Sequence, residues 1–235
     1  MELLILGIRT RESLSGFYAN CPLAIAARSG IIDSIFRTWL PDDAVMLMPD
    51  IADSQGVDAL IRSRRTISVF KPEMPPQEIL LNALDAAIWA PNHRKTEPWR
   101  FTRLGPQTVR QIVELQYRLV AAKKGPDEAE KKRRQWSVVP GWLLVTCLRA
   151  TDPLQMEEDY AACCCAIQNL SLSLWDQGIG TKWSTGDVTR DPEFAQLAGF
   201  DSDIERVVGL IWYGYPAAVP QQSRRPLSEV LRELP

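Results

Sequence analysis

Two stretches predict the fold of this chain: Arg62-Ser63-Arg64-Arg65-Thr66-Ile67-Ser68-Val69-Phe70 and Ala90-Pro91-Asn92-His93-Arg94-Lys95-Thr96-Glu97-Pro98-Trp99-Arg100-Phe101. The first combines arginines and hydroxyl side chains without an acid. Guanidinium groups and hydroxyls match phosphate oxygens, so this stretch indicates a phosphate site. The second is bounded by prolines and contains the only histidine of the protein. A solvated helix end that complements the helix dipole would explain a basic cluster equally well, so neither stretch is decisive alone.

The order and spacing of these two stretches carry a family resemblance. A basic pair with a hydroxyl residue, a phenylalanine, an amphipathic helix and the pattern A-P-x-H-x-x-x-x-P-W-x-F together resemble the FMN-dependent nitroreductase family. The likeness is to its short, single-domain members that carry histidine in the second motif, and it covers residues 54–235. It implies an α+β, nitroreductase-like fold with a central mixed or antiparallel sheet flanked by helices. It also implies a domain-intertwined homodimer.

The resemblance further implies FMN as the cofactor and NAD(P)H as the electron donor. Matching positions give the expected FMN contacts, which are Arg64, Arg65, Thr66, Ser68, His93, Trp183, Ser184, Thr185, Arg224 and Arg225. The basic pair and Thr66 would hold the ribityl chain and the phosphate, and one of the two arginines before Pro226 would add a second cation. The segment from Trp183 to Thr185 would lie along the flavin ring, and His93 would reach the flavin from the neighbouring subunit.

Two positions depart from the family pattern. Ser68 stands where many members have an arginine or lysine near the N1–C2 edge of the ring, so Arg65 or a backbone dipole would have to meet the negative charge of reduced flavin. Histidine-bearing short members can also lack this cation. Glu97 replaces the usual amide before Pro98-Trp99, and a carboxylate donates a hydrogen bond only when it is protonated.

Length and composition favour one sizeable domain, or one domain with an extension. Of the 235 residues, 46% are hydrophobic and 24% charged, and a net charge of −2 gives no reason to expect nucleic acid or an anionic membrane as a partner. No apolar run approaches the roughly 20 residues that span a bilayer. The apolar run over residues 1–9 is too short for a secretory signal. Five cysteines, three of them adjacent, do not resemble a secreted disulfide framework, so a cytoplasmic location is expected.

Hydrophobic periodicity and capping residues predict the order of the elements. Helices are expected over residues 54–64, 76–90, 108–122, 153–177 and 191–199, and strands over 99–104, 142–148 and 206–213. The charged stretch 123–135 is interpreted as a solvated helix face, and the stretch 179–186, rich in glycine and hydroxyl residues, as a loop. Residues 1–53 form an extension outside the resemblance. A short helix over 24–40 would pack on the core or on a second subunit, or the natural start of the chain lies later.

The stretch from Asp152 to Gln177 predicts a long helix that is apolar almost all round. Such a helix is buried on every side, either at the centre of the domain or in a subunit interface. Its three adjacent cysteines, Cys163–Cys165, point about 100° apart, so they cannot converge on one metal ion. They are interpreted as small buried hydrophobic residues.

Other catalytic classes find no support in the motifs. A single histidine rules out a multi-histidine metal site, no G-x-G-x-x-G follows a strand, and the segment after Trp183 lacks the first glycine of a nucleophile elbow. The resemblance therefore carries the hypothesis of an enzyme that uses NAD(P)H to reduce nitroaromatic or quinone-type acceptors through FMN by a ping-pong mechanism. The alternatives are a flavin carrier or redox sensor without turnover, and a related FMN enzyme acting on oxygen or halogenated substrates. His93 is either a flavin or substrate contact or a structural histidine.

Overall fold

The structure, a computed structural model, describes residues 54–235, so the extension and its predicted helix over 24–40 lie outside the described residues. The helices and strands, in chain order, are α1 (Ser54–Ser63), α2 (Gln77–Ala87), β1 (Trp99–Arg103), α3 (Pro106–Lys124), α4 (Pro126–Ser137), β2 (Gly141–Leu148), α5 (Pro153–Asp176), β3 (Gly180–Ser184), α6 (Pro192–Ala198) and β4 (Glu205–Gly214). Within this part of the chain, no helix is long and apolar enough to cross a membrane.

The four strands form one antiparallel sheet in the order β1-β2-β4-β3. The two central strands are the continuous apolar runs of the sequence, which is the pattern of strands that are buried on both faces. The short strands β1 and β3 form the two edges. The predicted α+β fold with a central sheet flanked by helices is therefore confirmed, and its sheet is of the antiparallel kind.

Helices cover both faces of the sheet. Alternate residues of β2 point to opposite sides and therefore into different cores. Leu143 faces a core built with α2 and α5, whereas Leu144 faces a core built with α3, α4 and α6. The second core is organised around the indoles of Trp136, Trp142 and Trp212, whose ring centroids are 5.0–5.5 Å apart. Inclined and edge-on contacts of this kind are the arrangements that aromatic rings prefer.

The stretch 179–186 is not a loop throughout, contrary to the sequence interpretation. Gly180–Ser184 forms the edge strand β3, which pairs with β4 from Gly214 to Leu210. A short edge strand made of glycine and hydroxyl residues is fixed by its pairing partners and not by strand propensity, so the sequence carried no signal for it. Residues 185 and 186 lie beyond the strand and lead into a short helical turn at Asp187–Arg190.

Helix α5 is covered on fewer sides than its composition predicts. An aspartate N-cap and a proline at its first position open it, as expected. One side is buried against the sheet and includes Ala166, Ile167 and Leu170. The opposite side is exposed in the single chain and includes Tyr160, Ala161, Cys165 and Gln168. One chain therefore does not bury the helix on every side, because the sheet and the neighbouring helices enclose only part of the circumference. Burial of the open side in a subunit interface stays a prediction.

The three adjacent cysteines of α5 have three different environments. Cys163 is buried, Cys164 is half-buried and Cys165 is exposed, as their rotation around the helix axis requires. The interpretation as small buried hydrophobic residues therefore holds only for Cys163. A hydrogen bond with the sulfur of Cys147 on β2, together with burial, raises the pKa of the Cys163 thiol. Cys163 is thus protonated and unreactive at neutral pH.

Candidate cofactor site

The first motif lies along the outer edge of β3. Thr66 and Thr181 form an isolated parallel bridge, and the N–H of Ile67 donates to the carbonyl of Thr181 at 2.9 Å. Ile67 is fully buried and anchors the segment. Gly180 permits this close approach, because a Cβ at that position would lie 2.3 Å from the Cγ1 of Ile67. The arginines just before Thr66 are thereby fixed near the beginning of β3.

The C-terminal segment runs next to the same motif. Backbone hydrogen bonds of 2.8 and 3.0 Å pair residues 69–71 with residues 215–217. This pairing carries the chain that follows β4 back beside the first motif. As a result, the guanidinium group of Arg224 lies close enough to that of Arg64 to perturb it electrostatically.

Arg64, Arg65 and Arg224 form a cluster of positive charge, here called the arginine cluster. Burial, then repulsion by Arg224 and by Arg65, lowers the pKa of the Arg64 guanidinium. Within residues 54–235, none of the three forms an ion pair with a carboxylate. Like charges held together without a counter-ion indicate an anion site. Arg225 instead lies 3.9 Å from Glu229, so of the two C-terminal arginines the structure brings Arg224 to the cluster.

The basic pair is positioned by a helix end as well as by the sheet edge. The Nη1 of Arg65 donates to the carbonyls of Arg62 and Arg64 at 2.6 and 3.0 Å, which are among the carbonyls that the end of α1 leaves free. Helix α1 is in turn joined to α5 by a hydrogen bond of 3.0 Å from the Nε1 of Trp175 to the Oγ of Ser63. The position of the arginine cluster is therefore fixed by two regular elements, the end of α1 and the edge strand β3.

Trp183 forms a flat aromatic surface near the end of β3. Its Nε1 donates to the carbonyl of Val208 at 3.1 Å, and its indole crosses Gly209, where a Cβ would lie 2.1 Å from Nε1. The register between β2 and β4 shifts between Val145 and Thr146, which leaves Val208 as the extra residue of a bulge. A bulged residue has no partner in the ladder, so its carbonyl is free to accept from the indole. The side chain is 40% exposed, which leaves aromatic surface open to a ligand.

The remaining predicted contacts on this side surround the same edge. Ser68 and Thr185 are exposed and Ser184 is half-buried. Thr185 also borders a cavity of about 470 Å³, whose lining includes Tyr160 and Arg206. The Arg206 guanidinium lies 4.4 Å from the centre of the Tyr160 ring. A small molecule in this cavity would contact the segment that is predicted to line the flavin ring.

A cavity of about 800 Å³ lies between α3, α4 and the start of β2. It is the larger of the two, but its lining includes none of the predicted FMN contacts. Its walls are mainly apolar, and two of the three arginines that line it, Arg133 and Arg134, are paired with Glu130. The chemistry of the residues therefore places the candidate cofactor site at the β3 edge and not in the larger cavity.

His93 lies at the other edge of the sheet. It occupies a short turn before β1 and is exposed. Because β1 and β3 are the outer strands of a four-stranded sheet, they are separated by about 14 Å at a strand spacing of roughly 4.8 Å. The strand that follows the His93 segment and the strand that carries Trp183 are therefore at opposite edges of the sheet.

Three residues that shape these regions were missed by the sequence analysis. Gly180 and Gly209 make room for the first motif and for Trp183. An isolated glycine in a strand pattern, as in the run Val207-Val208-Gly209-Leu210, indicates a bulge or a close approach and was a readable signal. Asp159 is only 3% exposed although it lies in the mainly apolar helix α5. An acidic residue among the apolar residues of that helix was a second readable signal of a residue with a special role.

Comparison with known proteins identifies the family. The sequence model of the Nitroreductase family matches residues 61–215, and the chain belongs to this family. It is 37% identical over 170 residues to YfhC of Bacillus subtilis, provisionally named an NAD(P)H nitroreductase, with 71% of this chain and 87% of YfhC covered. An iodotyrosine deiodinase of Hydra vulgaris is 26% identical over 194 residues, which cover 73% of this chain and 70% of that protein. A solved nitroreductase-like family protein from Bacillus cereus is 27% identical with a TM-score of 0.67, covering 76% and 95% of the two chains.

Proposed function

We propose that this protein is an FMN-dependent oxidoreductase that uses NAD(P)H to reduce nitroaromatic or quinone-type acceptors by a ping-pong mechanism. In this proposal it is a short, single-domain family member with histidine in its A-P-x-H motif. The observation that carries the proposal is the arginine cluster, which lacks a carboxylate partner in the described part of the chain and lies at the edge that presents Trp183. Membership of the nitroreductase family and the likeness to YfhC support the same chemistry.

The residues of the β3 edge fit the two ends of FMN. Arg64 and Arg224 would bind the phosphate, with the Thr66 hydroxyl beside them, because two guanidinium groups match a dianion in charge and in hydrogen-bond donors. The indole of Trp183, closed on the side of the sheet, would cover part of the flavin ring and exclude water there. When bound, FMN supplies the redox chemistry, taking a hydride from the donor and passing electrons to the acceptor. Ser68 would offer a hydroxyl at the ring edge but no charge.

Donor and acceptor would use the cavity of about 470 Å³ beside Thr185 in turn. A single shared cavity accounts for a ping-pong order, because the oxidised donor must leave before the acceptor enters. Arg206 and Tyr160 on its wall offer a cation and an aromatic ring to either molecule. The iodotyrosine deiodinase among the relatives makes a halogenated acceptor the second candidate.

The proposed enzyme is a homodimer. Two exposed surfaces would be covered by the partner. One is the exposed side of α5. The other consists of exposed apolar residues of α1, α2 and the turn after α2, namely Val57, Ile61, Leu81, Ile88 and Trp89. Trp89 is 82% exposed, and clustered exposure of large apolar side chains marks an interaction surface. A symmetric partner would also let His93 of one chain approach the cofactor site of the other. Analytical ultracentrifugation at low micromolar concentration tests the dimer, and a stable FMN-bound monomer would reject it together with the role of His93.

Purification without added flavin is the decisive experiment for the cofactor. The protein is expected to be yellow and to release FMN in a stoichiometric amount on denaturation. NADH or NADPH should bleach the bound flavin under anaerobic conditions, and a nitroarene or a quinone should restore its colour. Bound FMN that neither donor bleaches would identify a carrier or sensor, and reoxidation by oxygen or iodotyrosine alone would identify the second enzyme class. FAD, or no flavin after incubation with FMN, would reject the whole proposal.

A further inference from the structure

The turn from Asn92 to Glu97, here called the His93 turn, has an unusual backbone. Arg94, Lys95 and Glu97 have φ angles of 60°, 51° and 46°. They are the three non-glycine residues with positive φ within residues 54–235. Side chains with a Cβ rarely adopt this left-handed conformation, and such residues persist only where surrounding interactions hold them. The interactions that hold this turn are therefore of functional interest.

Two side chains within the turn close it into a ring of hydrogen bonds. The Oδ1 of Asn92 accepts from the N–H of Glu97 at 2.7 Å, and the Nδ2 of Asn92 donates to the Oγ1 of Thr96 at 3.1 Å. The Nη1 of Arg100 adds a bond of 3.1 Å to the carbonyl of Glu97. Because the Thr96 hydroxyl accepts from Asn92, its own proton is available for another partner.

That partner is Asp159 on α5, whose Oδ1 accepts from the Oγ1 of Thr96. Asp159 is only 3% exposed and forms no salt bridge with the described residues. A buried carboxylate without a cation is unfavourable unless its hydrogen bonds compensate for lost hydration. Thr96 provides the one side-chain hydrogen bond that Asp159 accepts in this part of the chain.

We propose that Thr96 and Asp159 are positioning residues that fix the His93 turn to helix α5 and thereby set the direction in which His93 points. The side chains of His93, Arg94 and Lys95 are all exposed, so the described chain does not enclose them. Asp159 immediately precedes Tyr160 on the exposed side of α5. The turn and that side of the helix are thus held as one surface. Only the consequence for turnover rests on the proposed function.

The matched variants Thr96→Val and Thr96→Ser test the proposal. Valine keeps the shape of threonine but removes the hydroxyl, whereas serine keeps the hydroxyl. Thr108→Val is the control, because Thr108 is half-buried in the first turn of α3 and makes no side-chain hydrogen bond within residues 54–235. Asp159→Asn retains an oxygen that accepts from Thr96, so it should preserve the turn even though the charge is lost.

Two measurements report on the turn independently of catalysis. His93 is the only histidine, so in tag-free protein its imidazole protons give an isolated NMR signal. In Thr96→Val this signal should shift and broaden, and trypsin should cleave after Arg94 or Lys95 roughly tenfold faster, as expected when one hydrogen bond of the turn is lost. Thr96→Ser, Asp159→Asn and Thr108→Val should resemble the wild type in both measurements.

Turnover separates this inference from the proposed function. FMN affinity should be unchanged in Thr96→Val, kcat should fall, and the fall should vanish in a His93→Ala background, because Thr96 acts through His93. An unchanged NMR signal and unchanged cleavage in Thr96→Val would overturn the proposal. A loosened turn with unchanged kcat would overturn the link to turnover. Failure to bind FMN at all would reject the proposed function, while the NMR and cleavage results would still decide whether the turn is held as inferred.

Discussion

The two edges of the sheet hold their candidate functional residues by different physical means. At the β3 edge the means is close packing. Gly180 makes room for the first motif, since a Cβ at that position would lie 2.3 Å from the Cγ1 of Ile67. Gly209 makes room for the indole of Trp183, since a Cβ there would lie 2.1 Å from its Nε1. At the β1 edge the means is a ring of hydrogen bonds that keeps the His93 turn in a backbone conformation unfavourable for residues with a Cβ.

The difference shows how each edge can fail. A site formed by close packing is damaged when atoms are added, because the surrounding strands cannot move apart. A turn held by hydrogen bonds is damaged when one hydroxyl is removed. The first arrangement suits a permanently bound cofactor. The second suits a side chain that reaches out of its own chain, as His93 does in the proposed dimer. Measurements of FMN affinity distinguish the two edges, because only the β3 edge should control it strongly.

Arg64→Ala should have the largest effect on FMN affinity. Loss of one charge-assisted contact to phosphate costs about 1.5–3 kcal/mol, or roughly 10- to 150-fold in the dissociation constant. Fluorescence titration of the apoprotein measures it. Arg62→Ala is the control in the last turn of α1, just before Arg64, because Arg62 is exposed and lies 3.8 Å from Asp58, and its loss should leave the affinity unchanged. Equal losses in both variants would show that the arginine cluster is not the phosphate site.

Without FMN, Arg64→Ala should make the folded protein more stable, whereas with FMN the same change weakens binding. The lowered pKa of Arg64 means that its charged form is less favourable in the folded than in the unfolded chain. At neutral pH the group is charged in both states, so its burial, and then its repulsion with Arg224 and Arg65, opposes folding. Removing the charge should therefore raise Tm without FMN and lower it in saturating FMN. A lower Tm in both conditions would contradict the electrostatic account.

Gly209→Ala should have the second largest effect. Its Cβ would lie 2.1 Å from the Nε1 of Trp183, so the indole must move or the strands must separate. Overpacking of this kind costs about 1–3 kcal/mol of unfolding free energy, and the displaced indole should weaken FMN binding less than Arg64→Ala does. Gly105→Ala is the control, because a Cβ at Gly105 would meet no neighbouring group within 4 Å. Urea unfolding and FMN titration of both variants test this prediction. If Gly209→Ala behaved like the wild type, Gly209 would not constrain the position of Trp183.

The sequence predicted those parts of the fold that depend on local signals. The central strands are continuous apolar runs, and helix α5 begins with its own capping residues, so both could be recognised without knowing their neighbours. Strand β3 could not, because its glycines and hydroxyl residues become a strand only through pairing with β4. For α5 the sequence left two locations open, the centre of the domain and a subunit interface, since composition shows that a helix is apolar but not which surfaces surround it.

The candidate site divides in the same way. Arg64 and Thr66 belong to a compact motif, and their role as a phosphate site is a prediction that adjacent residues suffice to make. The choice between Arg224 and Arg225 could not, because it depends on the pairing of residues 69–71 with 215–217, for which neither segment has a local signal. The separation of β1, which follows His93, from β3 was likewise hidden, since it follows from the strand order of the sheet.

Trp183→Phe should have a smaller effect than Gly209→Ala. The substitution removes the Nε1 donor and leaves the carbonyl of Val208 without this partner, at a cost of about 0.5–1.5 kcal/mol of unfolding free energy. FMN affinity should fall by no more than about threefold, because an aromatic face is retained. Phenylalanine also lacks the atom that a Cβ at position 209 would strike. The double variant with Gly209→Ala should therefore lose less stability than the sum of the single variants. Strict additivity would show that the two side chains do not compete for this space.

His93→Ala should have the smallest effect on FMN affinity, within about twofold of the wild type, because His93 lies at the opposite edge of the sheet from the arginine cluster and has no phosphate to bind. Its effect should appear in turnover or in the preference between one nitroarene and one quinone, measured in steady state with FMN saturating. Lys95→Ala is the neighbouring control, since Lys95 is exposed in the same turn and forms no salt bridge within residues 54–235. If His93→Ala instead released FMN as strongly as Arg64→Ala while the rates of the FMN-bound enzyme stayed normal, His93 would be a cofactor anchor. The two edges of the sheet would then share one function, and the contrast between them would concern only how each is built.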